Sequence, residues 1–376
     1  GPMIAREDIQ GLMRREFSRP VLSAFLDMSV TADNKRTHQL FLNKRRSEIS
    51  ELDSDRAGAH REALGEAFER IERWIQDEFD ETNKGVALFV EVGGEWMEAF
   101  QMPVPVPNRL VIGEEPAIGT LVQVLERHRH HGVVLVDREH VRMISVQLGV
   151  PIREHRVEGE PYPAPHDVQR GGYSQKDYQK RKAEEVRHFF REFGKEVDEF
   201  VRRYRPDDLV LVGTDENVKA FLDHLSEPAR QKVVHTAPGR VDAPTSEILQ
   251  RLTPFFRMQE EKTKSELVDL LRDRVRNRHL ATAGFHDTVV QLQQGKVDTL
   301  ILARDAERDG ARCTSCGFYL AHPDTQCPYC GGRTRDGVDL VEAIVRLAEE
   351  QEVPIEFVAR DAIADLNDVG ALLKFE

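Results

Sequence analysis

Apolar and polar positions change period several times along the chain, and each change marks an element. Residues 3–18 follow helical spacing, and the largely apolar stretch at 21–26 predicts a short strand. Two charged helices follow over about 35–52 and 56–79, and the runs 86–90 and 96–100 flank Gly93-Gly94 as a β-hairpin. That glycine pair leads from strand to strand rather than from strand to helix, so it is no phosphate loop. Residues 102–107 alternate with proline, which excludes a helix and places a first boundary just beyond them.

The pattern restarts with a helix at 117–130 and a hairpin, 133–136 and 141–146, around Asp137-Arg138-Glu139-His140. A polar, proline-rich loop over about 158–174 opens into a long helix at 175–204. Its apolar positions Val186, Phe189, Phe193, Val197, Phe200 and Tyr204 recur at three- and four-residue steps, giving one buried face. A strand at 209–212 and a helix at 216–225 complete that region, and 246–279 reads as two charged helices. The segments 282–293, 299–303, 337–350 and 355–358 then alternate helix and strand, the pattern of a small α/β sandwich. The fold class expected is a multidomain α/β (α+β) protein with domains at 3–112, 113–258 and 259–376.

The length, 376 residues, agrees with two or three domains at about 100–200 residues each. No apolar run approaches the ~18 residues of a membrane span, and the N-terminus lacks a charged-then-apolar leader, so a cytoplasmic protein is expected. With 53 Lys and Arg against 66 Asp and Glu, the net charge of -13 argues against nonspecific coating of nucleic acid. The average hides local clusters, however.

Cys313-Thr314-Ser315-Cys316-Gly317 and Cys327-Pro328-Tyr329-Cys330-Gly331 form two CxxC pairs ten residues apart. Cys313, Cys316, Cys327 and Cys330 supply the four thiolates of a structural zinc site, which leaves no open position for a catalytic water. A glycine after each second cysteine suits a knuckle that needs positive φ.

The second cluster is Arg170-Gly171-Gly172-Tyr173-Ser174-Gln175, which feeds the long helix. Arg170, Lys176, Lys180, Arg181 and Lys182 set five basic residues against one acid, Asp177. Cations at a helix N-terminus do not complement its dipole, so an anionic partner such as RNA accounts for them better than stability does. The bland alternative is a solvated surface loop.

These features occur in one order over about 110–376: the 133–137 hairpin, the Gly-Gly loop before a basic helix, the cysteine insertion, and the tail Gly370-Ala371-Leu372-Leu373-Lys374-Phe375. In that order they resemble the archaeal and eukaryotic peptide-chain release-factor and Pelota superfamily, in its bacterial branch with hibernation factor Balon-like relatives. The resemblance implies a ribonuclease-H-like middle domain and a last domain similar to kink-turn-binding ribosomal proteins with a zinc-ribbon insertion. It implies a ribosomal partner, with rRNA, the A-site region and peptidyl-tRNA as contacts, and a translational GTPase such as elongation factor Tu. Gly171, Gly172 and Gln175 then stand where release factors hold a catalytic Gly-Gly-Gln, and Arg170, Tyr173, Lys176, Lys180, Arg181 and Lys182 would face RNA.

Tyr173 and Ser174 interrupt that motif. Two inserted residues move a group by several ångströms at ~3.3 Å each, more than a catalytic hydrogen bond tolerates. The codon-reading Asn-Ile-Lys-Ser tip of release factors has only Asp33-Asn34-Lys35-Arg36-Thr37 as a counterpart. The expected function is therefore A-site binding in rescue or hibernation. The alternatives are codon-independent peptidyl-tRNA hydrolysis and a non-ribosomal RNA-binding stress protein.

Smaller signals are read conservatively. Lys35, Arg36, Lys44, Arg45 and Arg46 suit either an RNA contact or a solvated helix face. Arg272, Arg274, Arg276 and Arg278 are spaced by two, which predicts a frayed or extended segment. Arg127-His128-Arg129-His130-His131 ends a helix, and Asp137 reads as a hairpin-turn residue.

Overall fold

A computed structural model describes residues 4–52, 58–160, 175–323 and 326–376. The chain forms two compact units: Gly1–Arg127 with Gln259–Glu376, and His128–Met258.

The first unit opens with α1 (Arg6–Arg14), shorter than the expected 3–18, and β1 (Val21–Asp27). Helices α2 (His38–Leu52) and α3 (Gly58–Glu78) precede β2 (Gly85–Glu91), β3 (Met97–Met102) and β4 (Arg109–Gly113). The sheet runs β3-β2-β1-β4 and is antiparallel throughout. Alternation along β1 sends Leu22, Ala24 and Leu26 into a core with Leu42 of α2 and Phe68 and Ile71 of α3. Phe25 turns the other way, edge-on to Phe89 at 5.9 Å. Both faces of β1 are thus covered, and Ser23 within the run is buried, accepting the Ala117 N–H at 3.0 Å. Helix α4 (Gly119–Arg127) closes this part of the chain.

The second unit is built on β5 (His131–Val136), β6 (His140–Gln147), β7 (Val150–Glu158), α5 (Gln175–Tyr204), β8 (Asp208–Val212), α6 (Asp215–Leu222), α7 (Glu227–Lys232) and β9 (Val233–Ala237). Its five strands run β7-β6-β5-β8-β9, antiparallel from β7 to β5 and parallel from β5 to β9. Val134 and Val136 pack with Phe189, Phe193, Val197 and Phe200 of α5. Val133 and Leu135 pack on the opposite face with Ile248 and Leu252. A Cβ at Gly194 would collide with the His224 carbonyl, so only glycine lets α5 lie this close to the segment after α6.

Helix α8 (Thr245–Arg276) is one 32-residue element, not the two helices expected at 246–279. Pro254 removes one backbone hydrogen bond, but apolar residues on both sides of it are buried and hold the helix. Arg272, Arg274 and Arg276 are accordingly helical rather than frayed, and only Arg278 leaves the helix, with φ 50°.

The remainder of the first unit comprises β10 (Ala281–Ala283), α9 (Phe285–Gln293), β11 (Val297–Ala303), β12 (Asp309–Cys313), β13 (Tyr319–Leu320), β14 (Thr334–Asp339), α10 (Leu340–Glu350), β15 (Ile355–Val358) and β16 (Val369–Leu373). One sheet runs β10-β16-β11-β15, with β11 and β15 parallel, and a second, small sheet runs β13-β12-β14. The helix expected at 337–350 begins only at Leu340, because Asp339 caps it by accepting the Glu342 N–H at 3.1 Å. Likewise 281–283 is strand and the next helix starts at Phe285.

Helix α10 also binds residues far from it in sequence. The Glu342 carboxylate accepts N–H groups from Ile118 and Gly119 at the start of α4, Arg346 pairs with Glu115 at 3.2 Å, and Glu349 with Arg6 at 3.2 Å. Burial raises the Glu342 carboxyl above the usual carboxylate range, against the opposing pull of the Ile118 N–H. Among the described residues no helix is long and apolar enough to cross a membrane.

Candidate functional site

The four cysteines converge although 17 residues separate the first from the last. Cys313 ends β12 and Cys316 follows its turn, while Cys327 and Cys330 sit on the loop before β14. Cys313 and Cys330 sulfurs are 3.4 Å apart, Cys316 and Cys327 sulfurs 3.7 Å, and all four lie within 4.8 Å of one another. A tetrahedron with ~2.3 Å metal–sulfur bonds has edges of about 3.8 Å, so the set fits a four-thiolate metal.

Each knuckle repeats the same backbone pattern. Gly317 and Gly331 both adopt φ 76°, and their N–H groups donate to the carbonyls of Cys313 and Cys327 at 3.1 and 2.9 Å. Ser315 and Cys316 N–H groups point at the Cys313 sulfur at 3.4 Å, and the Tyr329 N–H points at Cys327 at the same distance. The Cys316 N–H, aided by the Ser315 N–H and the thiols of Cys330 and Cys316, pulls Cys313 down to about 6 against burial. Cys316 is pushed up to about 12: the Phe318 N–H favours its thiolate, but burial and the three neighbouring thiols outweigh it. A cation entering the cluster therefore displaces protons. Among the described residues this is the one group of three or more His, Cys, Asp or Glu side chains placed to hold a metal.

The second candidate region is the start of α5. Arg170, Gly171, Gly172 and Tyr173 lie outside the described residues. Gln175 is the first residue of the helix. Residues 175–184 are exposed apart from half-buried Arg181, and the first buried side chain is Phe189. About 15 Å of helix at 1.5 Å per residue thus precedes the anchored part. Lys176 and Lys180 form no ion pair among the described residues, whereas Lys182 pairs with Glu185 at 3.3 Å, whose hydrogen bond raises the lysine pKa. One side of this segment, with Tyr178 and Lys182, borders a cleft of about 610 Å³ shared with Arg138 of the β5–β6 turn and Asn217 of α6.

Other sequence candidates turn out to be structural. The Asp137 carboxylate accepts the N–H groups of Glu139 and His140 at 2.8 and 2.6 Å, closing the hairpin turn. His131 contacts Asp208 at 2.6 Å and stacks on Phe256 at 4.0 Å, and His130 contacts buried Ser145. Arg36 lies over the Phe79 ring, Arg45 pairs with Glu48 at 2.6 Å, and Arg46 pairs with Glu72 at 3.0 Å. Arg36 thus lies just before α2, Arg45 pairs within it, and Arg46 ties it to α3.

Sequence reasoning missed a buried ion cluster. Lys264 donates to the Phe357 carbonyl and pairs with Glu126 at 2.7 Å and Glu260 at 3.3 Å. Burial pushes Glu126 up to about 7 despite the Lys264 ammonium beside it. The signal was present: Lys264 shares a helical stripe with the buried residues Val268 and Leu271.

Comparison with known proteins bears on the same region as α5. Residues 116–257 match the family model described as "Bacterial archaeo-eukaryotic release factor family 10". That segment is thus similar to a bacterial branch of the archaeal and eukaryotic release factors. It is 23% identical over 330 residues to "Peptide chain release factor subunit 1" of Methanobrevibacter smithii, covering 77% of this chain and 78% of that one. The like-named protein of Thermococcus onnurineus is 22% identical over 247 residues, or 56% of this chain and 59% of its own length. The chain therefore spans less than two thirds of that relative. Among solved structures, "Model of ribosome-bound archaeal Pelota and ABCE1" aligns over 100% of this chain and 96% of that one, at 12% identity and a TM-score of 0.43. The family match encloses α5 and the whole five-stranded sheet.

Proposed function

We propose that this protein is a translation factor of release-factor/Pelota type that binds the ribosomal A site of stalled or idle ribosomes, in rescue or hibernation, in the cytoplasm. The observation that carries the reading is the coincidence of the family match at 116–257 with the exposed basic start of α5. Arg170, Tyr173, Lys176, Lys180, Arg181 and Lys182 are the RNA-facing residues in this proposal. The strand order β7-β6-β5-β8-β9 supports a ribonuclease-H-like central domain at 113–258, between an N-terminal domain at 3–112 and a last domain at 259–376. We assign the last domain to the kink-turn-binding class, with zinc as the metal of Cys313, Cys316, Cys327 and Cys330. A translational GTPase such as elongation factor Tu is the proposed delivery partner.

Co-sedimentation of the protein with ribosomes from starved cells is the expected result, and its absence from ribosomal fractions under every condition would remove the reading. Hydrolysis is tested separately. Gln175 begins α5, two residues beyond the position an uninterrupted motif would give it, so stalled peptidyl-tRNA complexes should release no peptide. Release that Gln175→Ala abolishes would replace binding with catalysis by Gly171, Gly172 and Gln175.

A further inference from the structure

Alternation along β7, an edge strand, sends Arg153, His155 and Val157 to the face of the sheet on which Val157 packs with α5. There Arg153 and His155 meet Tyr204, the last residue of α5. Phe200 backs the Tyr204 ring edge-on at 5.3 Å. The Arg153 guanidinium lies 4.7 Å from the ring centroid and that of Arg203 5.5 Å, while the His155 ring stacks at 5.8 Å. Arg153 Nη1–H donates to the phenol oxygen at 3.2 Å, which also lies 3.3 Å from His155 Nε2. Arg153, His155 and Arg203 are exposed, and Tyr204 is half-buried.

Over 149–159 and 199–208 five arginines are matched by five acids, so composition alone marks nothing. Placement separates them. Glu154 pairs with Arg142 and accepts the Thr245 O–H at 3.2 Å, Glu158 pairs with His140 at 3.7 Å, and Glu199 pairs with Arg202. Asp207 accepts the His130 N–H at 2.9 Å, and Asp208 contacts His131 at 2.6 Å. Arg153, His155 and Arg203 form no ion pair among the described residues. Two guanidiniums therefore share one tyrosine with no carboxylate between them, a like-charge contact that a bound anion would relieve.

We propose that Arg153, Arg203 and Tyr204 hold a phosphate of an RNA backbone. Guanidinium forks match phosphate oxygens, and the phenol adds a further polar contact. The backbone rather than a base is the ligand, because guanidiniums already lie over the ring. Protein interfaces centre instead on exposed apolar side chains. The large ones described in this unit, Tyr178, Val234 and Met258, lie at the start of α5, on β9 at the opposite sheet edge and on α8. This contact deepens the ribosome reading and rests on it for the source of the RNA. Lys180 and Arg203 lie about 35 Å apart along α5 at 1.5 Å per residue, so one helix would present two separate RNA contacts.

The test titrates the full chain with a fluorescent RNA hairpin of about twenty base pairs over about 50–300 mM salt. Arg153→Ala and Arg203→Ala are each expected to lower the salt slope by about one, and the affinity about tenfold near 0.1 M salt. Arg153→Lys should regain the slope, and Tyr204→Phe, which keeps the ring, should weaken binding at an unchanged slope. Circular dichroism separates these effects from loss of fold. Arg153→Ala and Arg203→Ala binding like the parent would overturn the proposal; if Lys176→Ala still lowers the slope, the ribosome reading stands. Hairpin binding through Arg153 and Arg203 by a chain that never sediments with ribosomes would support the phosphate site and remove that reading. Polyglutamate displacing the hairpin as well as unlabelled RNA of equal charge does would also overturn the proposal, in favour of an acidic protein partner.

Discussion

The cysteine ribbon and the basic start of α5 both expose polar chemistry, but they are held in place by opposite means. In the ribbon, β12, β13 and β14 with their loops carry four sulfurs within 4.8 Å of one another, which a bound metal would tie together. In α5 the exposed segment is anchored through Phe189, Phe193, Val197 and Phe200, buried farther along the same helix. Local ligation would therefore fix one region, whereas the other borrows its order from a core farther along the helix.

Removing the metal should break that contrast most strongly. Structural zinc contributes ~10–16 kcal/mol in small domains at neutral pH, so chelation or Cys313→Ser should abolish protection of 309–339 in hydrogen exchange. The five-stranded sheet and α5 should keep their protection. Because binding displaces cluster protons, metal loss should come more readily as pH falls. An unchanged ribbon after complete metal removal would mean that packing, not ligation, holds it.

The reverse experiment acts on the anchor of α5. Phe193→Ala deletes a ring that is 1% exposed and should cost about 3–5 kcal/mol in urea denaturation of the second unit, with no effect on metal content. A smaller effect is expected at the Lys264 cluster. The folded carboxyl of Glu126, near 7, lies above its unfolded value of 4.5, so the folded state holds more protons between those values. This group's contribution to stability therefore falls as pH rises from about 4.5 to 7, and Glu126→Gln should flatten that part of a urea-midpoint profile. Smallest in stability are Lys176→Ala and Lys180→Ala, expected to lie within about 0.5 kcal/mol of the parent. Their effect should appear in ribosome affinity, each reducing the salt slope by about one.

Legibility in the sequence followed the same division. Cysteine spacing is local information, and so is the three- and four-residue rhythm of α5, whose boundaries emerge as Gln175–Tyr204. Strand β7 was not legible because Arg153, Glu154, His155 and Arg156 give it an exposed, charged pattern; its pairing with β6 and the Arg156 bond to the Val241 carbonyl at 3.0 Å define it. Strand β9, with alternate residues exposed at the sheet edge, and the passage of α8 through Pro254 likewise depend on partners distant in the chain. Among site residues, the interrupted glycine motif drew attention to α5, whereas the partners of Arg36, Arg45 and Arg46, namely Phe79, Glu48 and Glu72, appear only in the folded chain.

The reach of Glu342 to the first turn of α4 has a consequence for biosynthesis. The Ile118 N–H waits for a carboxylate made 224 residues later. At ~5–20 residues per second, translation leaves that helix end without its acceptor for about 10–45 s. During that interval the nascent N-terminal sheet must persist with one helix uncapped, and its final docking is necessarily a late event, completed only as the last part of the chain emerges.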